Sequence, residues 1–329
     1  MTYIADEKRY NSMIYNRCGD SGLLLPAVSL GLYRNFGEKT PFKTAEKLIE
    51  IAFDNGITHF DLANNYGEPN GSAEKLFGQI LKKALNGYRD EMIIATKAGY
   101  DMWPGPYGDG GSKKYMLASL DQSLKRLDLD YVDIYYSHRY DPDTPLEETV
   151  SALGTAVRSG KAVYAGVSNY PVTVMREVIK LFKQENIPFI AHQPQYSMFL
   201  REPEQELFPL LEEMGVGAVV YQALFQGLLT TKYVDGIPRD SRLADQVDSI
   251  STDQLTEERT KKVLKLKEIA SERNQTVAQL AIAWALKRKP VSSVVIGVRN
   301  IEQLNENIGA LNNTTFSNDE LLKIDRILA

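Results

Sequence analysis

Eight short, nearly continuous apolar runs, each separated from the next by a stretch with helical periodicity, restrict what this chain can become. They span residues 27–30, 57–61, 92–97, 132–138, 162–167, 189–193, 217–221 and 293–297. Strands that are apolar on both faces belong to parallel sheets covered on the outside by helices. In the stretch after the first run, Ala45, Leu48, Ile49, Ala52 and Phe53 recur at the three-four spacing of one helix face. Thr144-Pro145-Leu146-Glu147, Thr276-Val277-Ala278-Gln279 and Ser317-Asn318-Asp319-Glu320 read as helix starts of the capping-box type. Gly56, Gly160 and Gly215 sit where helices should stop and the chain turn back into a strand. Eight βα units predict an α/β fold closed as a (β/α)8 TIM barrel, in preference to an open doubly wound sheet. Ahead of it, residues 13–17 and 23–25 flank Cys18-Gly19-Asp20-Ser21-Gly22, which predicts an N-terminal β-hairpin. With no linker or low-complexity stretch, the expectation is one barrel domain over residues 1–329.

Two segments break the rhythm, residues 100–112 and 224–254. Both follow strands, so both become long loops at the C-terminal face, where barrel enzymes place their specificity. A net charge of −5 argues against nucleic acid or an anionic membrane as partner. No apolar run approaches the ~20 residues that a bilayer requires. Residues 1–16 lack the apolar core of a secretory leader, and a lone Cys18 suits a reducing compartment, so the expected location is cytoplasmic.

Three successive runs end in titratable groups: Asp61, Lys97 and His138, with Tyr66 five residues beyond the first. In a parallel barrel these converge on one rim. Reduction of a carbonyl by hydride leaves charge on oxygen, so the site must supply a proton and stabilise that oxygen. A free tyrosine titrates near ~10 and donates poorly at neutral pH. A close ammonium is expected to lower that value, and a carboxylate keeps the ammonium charged and oriented. An imidazole can donate a hydrogen bond to the same oxygen. Singly, each residue has an ordinary explanation: a solvated lysine, a packing tyrosine, a satisfied rim histidine. Their joint placement at three strand ends is what points to chemistry.

Other chemistries lack their residues. No third glycine completes Gly215-Val216-Gly217 as a dinucleotide fingerprint, and residues 105–112 do not have P-loop spacing. His59, His138 and His192 form no metal-binding motif, so no metal is expected. Gly166-Val167-Ser168-Asn169-Tyr170 lacks the second glycine of a nucleophile elbow. A nucleotide phosphate can still sit at the last strand, where Gly297-Val298-Arg299-Asn300 leads into a helix and joins a cation to free backbone N–H groups.

These motifs resemble the aldo-keto reductase superfamily over nearly the whole chain. Ile57-Thr58-His59-Phe60-Asp61 with Asn64-Asn65-Tyr66-Gly67 is similar to the family's first signature. Ala95-Thr96-Lys97 and Tyr136-Ser137-His138 are similar to its lysine and histidine strands. Gly166-Val167-Ser168-Asn169 and His192-Gln193-Pro194-Gln195-Tyr196 resemble the segments that face the nicotinamide, and Val295-Ile296-Gly297 with Glu302-Gln303-Leu304 resembles the adenosine-phosphate end. Within the family, residues 103–108, 136–139 and 236–242 look most like the bacterial L-glyceraldehyde-3-phosphate reductase branch, itself similar to potassium-channel β subunits.

The resemblance implies an NADP(H)-dependent reductase of small aldehydes such as glyceraldehyde 3-phosphate or methylglyoxal. Asp61, Tyr66, Lys97 and His138 would be its catalytic tetrad, with Tyr66 as general acid. Ser168, Asn169 and Gln193 would hold the nicotinamide amide, with Tyr221 stacked on its ring. Gly31, Tyr33, Asp61, Gln222, Leu224, Gly227, Lys232, Arg242, Gly297, Arg299, Gln303 and Asn307 would complete the cofactor contacts. The substrate end would be lined by Tyr33, Tyr66, Trp103 and His138. The family's aromatic-Ser-Pro-Leu segment is here Tyr221-Gln222-Ala223-Leu224, a departure expected to loosen the loop over the pyrophosphate. The branch also implies a homo-oligomer, a tetramer or larger. The alternative it leaves open is a non-catalytic, NADP(H)-binding regulatory subunit.

Overall fold

The computed structural model describes residues 3–239, 244 and 252–329. Two short strands, β1 (Tyr15–Arg17) and β2 (Leu24–Pro26), pair antiparallel as the expected hairpin, Tyr15 opposite Pro26. Eight parallel strands follow: β3 (Val28–Gly31), β4 (His59–Asp61), β5 (Ile93–Ala98), β6 (Val132–Ser137), β7 (Ala162–Ser168), β8 (Phe189–Gln193), β9 (Gly217–Tyr221) and β10 (Val291–Ile296). They pair in sequence order, and β10 bonds to both β9 and β3, which closes the barrel. The helices that cover it are α1 (Phe42–Asp54), α2 (Ser72–Ile80), α3 (Lys113–Leu127), α4 (Leu146–Arg158), α5 (Val172–Gln184), α6 (Leu207–Met214), α7 (Glu257–Glu272), α8 (Val277–Leu286) and α9 (Ile301–Ile308), with α10 (Asn318–Leu328) last.

Local chemistry accounts for these elements. The apolar face of α1 is buried as its spacing requires, Leu48, Ile49, Ala52 and Phe53 included. The capping boxes at Thr276 and Ser317 form on α8 and α10. Thr144 does not cap α4: Pro145 occupies the N-cap, and the Thr144 hydroxyl donates instead to Asp141 Oδ2 at 2.7 Å. The helix begins at Leu146, which leaves Thr144 one residue outside the capping position. Gly215 ends α6 in the left-handed conformation (φ 71°), where glycine carries no Cβ penalty.

The barrel interior and its outer layer are separate cores. Inside, Ala95, Ile134, Tyr136, Ile190 and Val219 pack with Cys18 and Leu25 of the hairpin, which therefore blocks the N-terminal end of the barrel. Outside, strand residues such as Phe60 and Ile94 meet the helices through Phe53, Phe77 and Leu120. Each fully buried side chain of this size contributes about 1.5–3 kcal/mol. Gly166 makes room for the Tyr136 ring: a Cβ there would stand 2.4 Å from it. Gly166→Ala is therefore expected to lower unfolding free energy by about 1–3 kcal/mol, the usual cost of overpacking a filled core. Urea denaturation measures this, as a lower midpoint with an unchanged slope.

Candidate active site

Every barrel strand delivers a cavity or tetrad residue at or next to its C-terminal end. β3 ends in Gly31, β4 in Asp61, β7 in Ser168, β8 in Gln193 and β9 in Tyr221. Lys97 is the penultimate residue of β5, while His138 and Gly297 directly follow β6 and β10. Side chains alternate along a strand, so the residue that points inward at each end is fixed by register. Gly31 lies beside Asp61, Asp61 beside Ala95, and Lys97 beside Tyr136.

Lys97 is wholly buried, and its ammonium donates to Asp61 Oδ2 at 2.7 Å and to the Leu62 carbonyl at 2.8 Å. It lies 3.4 Å from the Tyr66 hydroxyl. The other Asp61 oxygen accepts from Gln193 Nε2 at 2.9 Å. A second buried carboxylate, Glu74 on α2, accepts from Thr96 next to Lys97 and from Arg126 of α3, which ties β5 to the helices behind it. The His138 ring stands edge-on to Tyr66, ring centres 5.6 Å apart, and Tyr100 packs edge-on against His138 at 4.8 Å.

Burial governs the protonation states. It pushes the Tyr66 phenol well above its ordinary value, and the Asp61 charge adds to the rise. The expected lowering by Lys97 is thus corrected: the ammonium is close, but desolvation outweighs it. Burial also lowers Lys97, with Asp61 opposing. His138 is pushed well below the usual imidazole range by burial, then by the charges of Lys97 and Arg139. At neutral pH the site presents a protonated phenol and a neutral imidazole.

These groups open into a cavity of about 760 Å³. Gly31, Tyr33, Asp61, Tyr66, His138, Ser168, Asn169, Gln193, Tyr221, Gln222, Leu224, Gly227, Lys232, Gly297, Arg299, Gln303 and Asn307 all line it, as the sequence grouped them. Lys97 lies behind the wall. Trp103 does not line the cavity: its loop folds back, Met102 N–H donating to the Gly108 carbonyl, and the indole packs 5.2 Å from Tyr115. Tyr100, from the same loop, takes the place expected of it. Arg242 lies outside the described residues. Arg34, Asn65 and Gln226 also line the cavity and were not singled out in the sequence, though Arg34 adjoins Tyr33.

The donor set fits a long, polar ligand with phosphates at one end. Asn300 caps α9 by accepting from Gln303 N–H at 2.9 Å, and Arg299 precedes it. Lys232 adds a second cation from the turn after β9. A helix N-terminus beside two cations suits phosphate. Toward the tetrad, Asn169 donates to the His138 carbonyl and accepts from the Tyr221 hydroxyl, which fixes an amide and an aromatic ring side by side. Gln222, Phe225 and Gln226 adopt positive φ, and Phe225 N–H donates to the Gln222 carbonyl at 2.7 Å. Among the described residues, no group of three His, Cys, Asp or Glu side chains is placed to hold a metal ion.

A model of the aldo/keto reductase family matches residues 27–329. The L-glyceraldehyde 3-phosphate reductase of Escherichia coli K12 is 51% identical, over 100% of this chain and 96% of that protein. Probable voltage-gated potassium channel β subunits of Arabidopsis thaliana and of japonica rice are each 37% identical, over 91% of this chain and 91% of theirs.

Two further buried histidines set an acid limit on the fold. Burial pushes His59 and His192 down to about 4. Their folded values lie below the ordinary 6.5, so the unfolded chain binds more protons below that pH. Stability is therefore expected to fall as pH drops from about 6.5 toward about 4. Urea midpoints measured across this window check it, and His192→Gln should flatten the slope. A level profile contradicts the buried neutral rings.

Proposed function

The chain belongs to the aldo/keto reductase family, and on that premise we propose that it reduces small aldehydes to alcohols at the expense of NADPH. The observation that carries the reading is the line Asp61–Lys97–Tyr66, 2.7 and 3.4 Å between successive polar atoms, ending at the cavity wall. When bound, the reduced nicotinamide supplies hydride to the carbonyl carbon. Tyr66 gives its proton to the carbonyl oxygen. Its raised pKa keeps that proton in place until charge develops. Lys97 then stands beside the phenolate, and the attraction between the two across 3.4 Å is stronger in the buried site than between the same pair in water. Asp61 holds Lys97 in position, and neutral His138 donates a hydrogen bond to the substrate oxygen.

The cofactor assignment is supported by the cations at the far side of the cavity. Arg299, ahead of α9, suits a 2′-phosphate because a guanidinium binds it in bidentate fashion. Ser168, Asn169 and Gln193 would take the carboxamide and Tyr221 the ring. The substrate class follows the 51% identical relative, whose name specifies a three-carbon phosphorylated aldehyde; methylglyoxal is a second short carbonyl of the same reach. The same reading puts the protein in the cytoplasm, on its lone and buried Cys18. Among the described residues, no helix is long and apolar enough to cross a membrane. Assembly as a homo-oligomer rests on the family resemblance alone.

Tyr66→Phe is expected to lose at least about a thousandfold in kcat, the scale of a general acid plus its charge partner, while NADPH still binds. Fluorescence titration and aldehyde-dependent NADPH oxidation measure the two separately, and retention of most turnover would sink the acid role. Arg299→Ala should cut the preference for NADPH over NADH by roughly ten- to a hundredfold. Wild-type protein that binds NADPH tightly yet consumes none across a panel of short aldehydes would instead support a regulatory subunit of the channel-β type.

A further inference from the structure

We propose that Arg34 selects substrates here, by binding an anionic group, above all a phosphate, carried by the aldehyde. This deepens the reading of the cavity as an aldehyde-reducing site and rests on it. Beyond the end of β3, the Tyr33 ring packs 4.9 Å from the ring of Tyr66, the proposed proton donor. The Arg34 guanidinium carbon stands 5.0 Å from the centre of that Tyr33 ring. Arg34 lines the same cavity, and its Nε is buried. The cation is thus fixed one aromatic ring away from the proposed chemistry.

Other cations near the tetrad are committed elsewhere. Lys97 is bound to Asp61 behind the wall. Arg139 does not line the cavity: Nη2 donates to both Asp109 carboxylate oxygens at 2.9 Å, and Nε donates to the Gly99 carbonyl at 2.7 Å. Lys232 and Arg299 belong to the loops after β9 and β10. Among the described residues, Arg34 is the cavity-lining cation in contact with the aromatic wall of the tetrad. An aldehyde bearing phosphate would bring its charge into a cavity that already holds the Asp61 carboxylate, and a buried anion needs a partner. A guanidinium meets phosphate in a planar fork, and its stacking on Tyr33 orients the fork in advance. Arg34 already engages another group; its five N–H donors make that compatible with a phosphate.

One rival anion lies close. Asn35 donates to the Val298 carbonyl at 3.1 Å, so the Arg34 loop touches the segment expected to hold the cofactor's phosphates. The test therefore reads aldehyde and cofactor separately. Steady-state kinetics with NADPH would compare L-glyceraldehyde 3-phosphate with L-glyceraldehyde, which share a carbon skeleton and differ in the phosphate. In Arg34→Met, the ratio of kcat/KM for the phosphorylated over the plain aldehyde is expected to fall roughly ten- to a hundredfold, with KM for NADPH shifted by less than about twofold. Arg34→Lys, which keeps the charge and loses the fork, should give an intermediate ratio. An unchanged ratio in Arg34→Met overturns the proposal, and so does a KM for NADPH that rises in step with the loss. Wild-type protein that reduces both aldehydes with no preference removes only the role of Arg34. Wild-type protein that reduces neither removes the reductase reading and this proposal together.

Discussion

A charged lysine with no exposed surface is the constraint around which this molecule is built. Taking an ammonium and a carboxylate out of water costs several kcal/mol for each ion, and only close geometry with further hydrogen bonds compensates. Lys97 and Asp61 meet that demand through the Leu62 carbonyl on one side and the Gln193 amide on the other. Those partners come from the start of the loop after β4 and from the end of β8, across the barrel. The Gln193 contact can exist only if the barrel closes, because only closure brings β8 to face β4 and β5. Removing one partner from such a pair typically costs about 3–5 kcal/mol. Fold and site are therefore the same commitment.

The same burial decides how the phenol behaves. In water an ammonium neighbour would make tyrosine more acidic, whereas inside the wall desolvation dominates and the proton is held more tightly. A group meant to release its proton only as charge appears on a substrate gains from this arrangement. In the proposed transfer the attraction of Lys97 opposes the cost of burial, because the anion that forms would stand 3.4 Å from an ammonium in a dry site. The buried Glu74 behind it, clasped by Arg126 and Thr96, adds to the field that favours the charged lysine.

Much of this was legible in the chain. Parallel strands buried on both faces leave continuous apolar runs, so all eight were readable to within a few residues, and the order of strand ends then brought Asp61, Lys97 and His138 to one rim. What escaped was whatever depends on how a loop folds back on itself. Trp103 and Tyr100 are aromatics of one segment, three positions apart; Gly105 and Gly110, both at positive φ, turn that segment so that the indole faces Tyr115 and the phenol faces the cavity. No periodicity encodes that choice. Thr144 fails as a cap because α4 begins at Leu146, one residue later than the spacing suggests, a boundary that the pattern of residues does not display. The net acidity of Tyr66 also escaped, because the neighbouring charge can be read from the motif while the depth of burial cannot.

The hairpin at the opposite end has a consequence for traffic. With Cys18 and Leu25 seated among Ala95, Ile134 and Tyr136, the barrel axis is stoppered from below. Whatever reaches the phenol arrives by the mouth and must depart by the mouth. A long occupant laid from Tyr221 to Asn307 along one side of the cavity would leave a short one to come and go past Tyr33 and Tyr100 on the other. An occupant lodged at that doorway would stand in the path of anything held deeper in the cavity.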